Sequence, residues 1–194
     1  AVRTGFRGEF IDTIVGSNAH MTVYSAGVPN AAGRLDRTIV DYEGQAAAIR
    51  GLPGVTRAAP LVRGQVMMTL GQKSNVADVY GMSADDLAGI PRIGGPEAEA
   101  IGDLSRYDEG IAIGSGIARE LGVSLGDKVR LISPNGARTP MGTTPRVAAF
   151  EVVYIFTAGR WDIDRTRVYM PFSAAQSYFN REGRADEIEV YVVD

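Results

Sequence analysis

Cysteine is absent from the 194 residues, and histidine occurs once, at His20. Without cysteine there is no disulfide framework, no thiol nucleophile and no zinc–thiolate site. One histidine builds no multi-histidine metal centre, and no Ser–His–Asp grouping can be drawn around it. His20 therefore reads as a strand residue making an ordinary hydrogen bond. Positive charge is not in excess. The formal net charge is -3 and the pI near 5.3, which leaves no electrostatic footprint for nucleic acid. No Lys/Arg-rich run reads as a polybasic membrane patch. No apolar run approaches the roughly 20 residues that span a bilayer, and the first residues lack a signal-peptide pattern. The Walker pattern G-x-x-x-x-G-K-[ST] is missing too, so ATP hydrolysis is not expected of this chain.

What is present is a globular composition, 45% apolar with mixed charge, suited to one domain or two small ones. Phe6, Phe10 and Ile14 fall on one helical face by their spacing of four. No capping residue precedes them, as expected either for the tail of a longer helix or for a frayed helix docking on the core. "AHMTVYSA" alternates as a strand, "VPNAAGRLDR" reads as a loop, and "DYEGQAAAIRGLPGV" as a helix closed by Gly51 and Pro53. "VTRAAPLVRGQVMMTL" and "KSNVADVYGM" form a strand pair around the Gly71-Gln72 turn, with Pro60 marking an edge or irregularity. Ser83 caps a short helical turn whose first residues include Asp85 and Asp86.

"PRIGGPEAEAIGDLSRYDEG" has the Gly, Pro and acid content of a connector. "GIAIGSGIARELGVSLGDKVRLIS" follows as strand, turn, short helix, turn and strand. "TAGRWDIDRTRVYMPF" reads as a hairpin or strand return, "SAAQSYFNREG" as a helix capped by Ser173, and "DEIEVYVVD" as a closing strand. The class is α+β: strand–helix–strand units near both ends and a strand-rich middle. Closure of the first unit by the C-terminal strand makes the middle an insertion.

Candidate chemistry is sparse. Gly114-x-Gly116-x-x-Arg119 lacks the third glycine of a dinucleotide fingerprint, and a plain strand-to-helix turn explains it better. Asp162 and Asp164, placed on one strand face, offer a cation site or acid–base pair in principle. With Arg160 and Arg165 beside them, solvated ion pairs are the plainer reading. No catalytic set, metal site or cofactor site emerges.

The stretch "SPNGARTPMGTTPRVAAFEV", Ser133 to Val152, is different. Strand-like segments flank about a dozen residues, whereas hairpin loops usually need roughly two to five, and longer ones are commonly functional. Pro134, Pro140 and Pro145 fix φ and bias the residues before them toward extended geometry. A loop so restrained loses less entropy on binding. Pro140 and Met141 offer an apolar, adaptable tip, and Arg130, Arg138 and Arg146 bring positive charge to its root and flank. Chemistry alone leaves a docking arm and a proline-stabilised crossover evenly matched.

"GIAIGSGIARELGVSLGDKVRLISPNGARTPMGTTPRVAAFEVVYIF" with "VYMPFSAAQSYF" resembles the periplasmic domain of LolC/LolE-type lipoprotein-releasing proteins, membrane subunits of an ABC transporter in the MacB-like superfamily. "GFRGEFIDTIVGSNAH", "LPGVTRAAPLVRGQVMM" and "VYGM" extend the resemblance over essentially the whole chain. It implies a two-part domain: a Porter-like α/β subdomain from residues 1–92 and 166–194, and an inserted, β-rich Sabre-like subdomain over 93–165. It implies that residues 134–145 are a β-hairpin hook for the soluble lipoprotein carrier LolA, with Thr139, Pro140, Met141 and Gly142 at its centre and Pro134, Asn135, Arg138 and Pro145 along it. Arg130 matches one position of the family's basic pad. The pad positions after the hook fall at Val147 and Ala148, one step from Arg146, which departs from the family pattern.

The resemblance further implies a non-enzymatic domain of an inner-membrane protein, with this segment in the periplasm. Energy would come from a LolD-type cytoplasmic ATPase through membrane regions outside this segment. A second LolC/LolE-type subunit and the lipoprotein cargo complete the expected partners. A LolE-like or MacB-like coupling domain that does not bind LolA is the nearest alternative. A small periplasmic enzyme using His20, Asp162 and Asp164 is the alternative from another class.

Overall fold

A computed structural model describes residues 20–134, 136 and 138–192, without the side chains of His20 and Arg138. The expected N-terminal helix through Phe6, Phe10 and Ile14, and Asn135 of the arm, lie outside the described residues. In chain order the elements begin with β1 (His20–Tyr24), β2 (Val28–Pro29), β3 (Leu35–Asp36), α1 (Tyr42–Arg50), β4 (Val55–Leu70), β5 (Lys73–Met82) and α2 (Ala84–Ala88). Next come β6 (Glu99–Gly102), a 3-10 turn (Leu104–Glu109), β7 (Ile111–Gly114), α3 (Ser115–Leu121) and β8 (Lys128–Ser133). The arm contributes β9 (Arg138–Thr139) and β10 (Gly142–Thr143). Then follow β11 (Arg146–Thr157), α4 (Trp161–Asp164), β12 (Arg167–Pro171), α5 (Phe172–Tyr178) and β13 (Glu187–Val192).

The chain forms two compact units, one holding residues up to Leu61 and from Gly183 on, the other Val62–Glu182. In the first, β13 lies between β1 and the opening half of β4, antiparallel to both. The last strand thus closes the first unit, as expected, and the middle of the chain is an insertion. Pro60 pairs with Ile188 where β4 has a strand neighbour on one side only, a place that tolerates a missing N–H. Asp41 caps α1, accepting from the Gly44 amide, and α1 buries Ala46 and Ile49 against Ala58, Ile188 and Val190.

In the second unit, strand pairing closes on itself. β4 pairs with β5, β5 with β12, β12 with β7, β7 with β11, β11 with β8, and β8 with β4 again. The ring encloses Val66, Met68, Val79, Ile111, Ile113, Val129, Leu131 and Val168, and closure removes the exposed edges an open sheet would present. The strands expected in the Porter-like part (the second half of β4, β5 and β12) share this barrel with β7, β8 and β11 of the expected Sabre-like part. The compact units divide at Leu61 and Gly183, whereas the resemblance implies boundaries at 92 and 166.

Three local expectations are corrected. The segment "WDID" is a helical turn, α4, because its two-residue alternation also fits one turn whose backbone bonds run from Asp164 and Arg165 back to Arg160 and Trp161. Of the expected hairpin or strand return, the strand is present as β12 but no hairpin forms, its neighbours being β5 and β7. Ser173 lies inside α5, whose N-cap is Pro171 without a side-chain cap. The connector is also more structured than its composition implies. The Tyr154 hydroxyl donates to the Ile93 carbonyl at 2.6 Å and the Tyr107 hydroxyl to the Met82 carbonyl at 3.0 Å.

Candidate functional site

The loop between β8 and β11 is a true hairpin extension. Ser133 pairs with Arg146 at its base, and a second, smaller ladder pairs Thr139 with Gly142 and Arg138 with Thr143. The Thr139 hydroxyl donates to the Gly142 carbonyl at 2.7 Å, closing the turn through Pro140 and Met141. Met141 is 100% exposed. Pro134, Thr139, Pro140, Gly142 and Pro145 are exposed as well, so the expected tip is presented to solvent. Two paired residues per strand do not hold a hairpin in water by themselves; the arm's shape depends on its prolines and on its root.

At that root the limbs meet at Gly136. A Cβ there would lie 2.3 Å from the Thr144 carbonyl oxygen and 2.4 Å from the Arg146 nitrogen, both backbone. The Asn180 amide group donates to the Gly136 carbonyl at 3.1 Å. Arg146 does not extend into solvent as a pad cation would. Its guanidinium donates to the Ser177 and Tyr178 carbonyls, at 3.2 Å for the latter, and to Asn180 Oδ1 at 2.8 Å. Tyr178 donates back to the Arg146 carbonyl at 3.3 Å. Burial pushes the Tyr178 phenol up to about 12, against the opposing pull of the Arg146 guanidinium and the backbone of Ser133.

Arg130 is exposed on the outer face of β8. Its cross-strand neighbours are Thr69 and Ala149. Beside it runs a feature that sequence reasoning missed. Val76, Met67, Ile132 and Val147 stand opposite one another across β5, β4, β8 and β11. Directly paired residues share a face, so the four make one apolar row on the outer wall at the root of the arm. Met67, Val76 and Val147 are 39%, 47% and 52% exposed. The alternation in "QVMMTL" signals Met67 as outward, but only the register assembles the row.

The competing sites dissolve into structural roles. A Cβ on Gly114 would lie 2.3 Å from the Asp164 carbonyl oxygen, and one on Gly116 would meet Arg165. These glycines let α3 and α4 approach one another. Asp164 is 8% exposed and accepts from the amides of Ala158 and Gly159 at 2.7 and 3.1 Å. Asp162 is exposed and paired with Arg160 at 3.1 Å. The His20 side chain lies outside the described residues. Among the described residues no cluster of His, Cys, Asp or Glu is arranged to hold a metal ion, and no helix is long and apolar enough to cross a membrane.

The profile of the MacB-like periplasmic core domain family matches residues 1–194. The chain is 26% identical over 184 residues to the lipoprotein-releasing system transmembrane protein LolC of Xylella fastidiosa (strain Temecula1 / ATCC 700964), covering 94% of this chain and 42% of that protein. It is 25% identical over 167 residues to LolC of Neisseria meningitidis serogroup B (strain ATCC BAA-335 / MC58), covering 86% and 38%. The chain thus spans less than half the length of these relatives. Among solved structures, the periplasmic region of MacB from Actinobacillus actinomycetemcomitans aligns with a TM-score of 0.52 at 16% identity, over 90% of this chain and 75% of that one. The extracellular domain of the noncanonic ABC-type transporter YknZ from Gram-positive bacteria aligns with a TM-score of 0.54 at 15% identity, over 89% and 84%. At such identities the likeness is one of fold.

Proposed function

This chain belongs to the MacB-like periplasmic core domain family, and on that premise we propose that it is the periplasmic part of an inner-membrane, lipoprotein-releasing ABC transporter subunit of the LolC type. Its arm would recruit a soluble LolA-type carrier. The observation that carries this reading is the proline-bracketed hairpin ending in a fully exposed Met141, in a chain whose relatives include LolC proteins.

The arm engages the carrier through Thr139–Gly142, while Arg130 and the apolar row of Met67, Val76 and Val147 contact its flank. Arg138 and Asn135 belong to the hook in this reading. Val147 stands where the resemblance expects a polar pad residue, so the wall offers this carrier more apolar surface and less charge. Holding the carrier at the exit keeps acyl chains out of water, where each exposed CH₂ costs about 0.8 kcal/mol. ATP hydrolysis falls to a separate LolD-type cytoplasmic subunit, and a second LolC/LolE-type subunit completes the transporter.

Calorimetric titration of the domain with the LolA-type carrier of the same organism tests this. Binding is expected for the intact domain, lost when residues 135–144 are replaced by a short Gly-containing turn, and weakened by Arg130→Glu far more than by Arg119→Glu on α3. Absence of binding to an active carrier would favour a LolE-like or MacB-like coupling role.

A further inference from the structure

We propose that Arg146 and Asn180 are positioning residues, a clasp that fixes both limbs of the arm to the C-terminal end of α5. The helix end supplies the need. The last carbonyls of a helix have no intrahelical partner, and Arg146 donates to two of them, Ser177 and Tyr178. Asn180 joins the limbs to each other. Its Oδ1 accepts from Arg146, on the return limb, at 2.8 Å, and its amide nitrogen donates to the carbonyl of Gly136, on the outgoing limb, at 3.1 Å. Among the described residues Asn180 is the one non-glycine with positive φ, at 56°, a conformation asparagine adopts more readily than most residues.

The helix end is itself held in place. A Cβ on Gly64 or Gly81 would lie 2.2 Å from Phe179 or Ala175, respectively, so α5 sits directly on β4 and β5. Phe150 and Phe179 both meet the Tyr178 ring edge-on. The clasp therefore ties a two-pair hairpin, weak alone, to a rigid barrel wall. Arg146 acts as an anchor and not as a pad cation, because its donors are committed to the protein's own oxygens. The effect on carrier binding rests on the docking reading above; the mechanical part does not.

The absence of cysteine allows clean labelling. Spin labels at Met141→Cys and Lys128→Cys report the distance from arm tip to barrel within one unit. A narrow distance distribution is expected in the otherwise unaltered domain, and a broad one in Arg146→Ala and in Asn180→Ala. Arg146→Lys should broaden it too, since one ammonium cannot reproduce the planar fork that spans these acceptors. Carrier affinity should fall about tenfold in either alanine variant, the cost of ordering roughly one further residue on binding. An unchanged width in both variants overturns the clasp. Broadening with unchanged affinity overturns its role in docking. Failure of the parent domain to bind carrier defeats the docking reading, while the width still decides the clasp. Should Arg146→Ala lose its cooperative melt, the width in Asn180→Gly, which removes the side-chain amide and tolerates the positive φ, decides between clasp and no clasp.

Discussion

Tyr178 is buried, at 4% exposure, where α5, β11 and the arm root meet, and its raised ionisation makes that junction sensitive to alkali. In the unfolded chain the phenol titrates near its ordinary 10.0, and in the fold near 12. Below pH 10 both states keep the proton. Between those values the unfolded state loses its proton first, so the stability present at neutral pH is lost as pH rises. Tyr178→Phe should flatten the decline of urea stability across that window. A residual slope is expected from Tyr107 and Tyr154, whose phenols burial also raises. An unchanged slope in Tyr178→Phe would show that its phenol is not the responsive group. None of this is legible in sequence. An arginine after a proline reads as surface charge, and nothing in "TPRVAAF" announces that the end of α5, about thirty residues on, supplies its partners. Met141 and Arg130 are the opposite case: composition of the arm and strand alternation suffice to place both at the surface.

Elements joined by short-range signals are readable in the sequence; those joined across the chain are not. The β4–β5 pair follows from the Gly71-Gln72 turn, α1 from its closure at Gly51 and Pro53, and α2 from its cap at Ser83. The parallel pairings of β12 with β5 and of β11 with β7 have no turn to announce them, and the short buried strand Ile111–Gly114 carries no alternation. "WDID" shows how four residues satisfy two periodicities, with the choice made by packing against Gly114 and Gly116. The apolar row belongs to this scale too, since it exists only through the register of β5, β4, β8 and β11. Val147→Asp places a charge in its exposed end without touching the core. It should weaken carrier binding about tenfold, because a carboxylate would be desolvated against the carrier without a partner, while leaving the thermal midpoint nearly unmoved. Calorimetry and a circular-dichroism melt of the same sample check both. Full affinity in this variant would confine the contact to the arm.

At the level of the whole chain, closure of the ring decides what can stand alone. The barrel, made by the second half of β4 with β5, β7, β8, β11 and β12, and the core it encloses lie within Val62–Glu182, and these segments find their partners there without help from β1 or β13. The other unit is built differently: β13 lies between β1 and the first half of β4, so it needs both ends of the chain. A fragment spanning Val62–Glu182 should therefore unfold cooperatively in urea and, on the proposed docking role, bind the carrier as the whole domain does. A fragment of residues 93–165 keeps β7, β8 and β11 but loses β4, β5 and β12. It would expose Ile111, Val129, Leu131 and Val152, side chains buried at 0% in the fold, and should not fold. That contrast separates two views of the molecule, because cooperative folding of 93–165 would make the arm-bearing half an independent module. Folding of 62–182 alone makes the whole barrel the smallest unit that carries the arm, with α5, an element that the 93–165 fragment lacks, at its root.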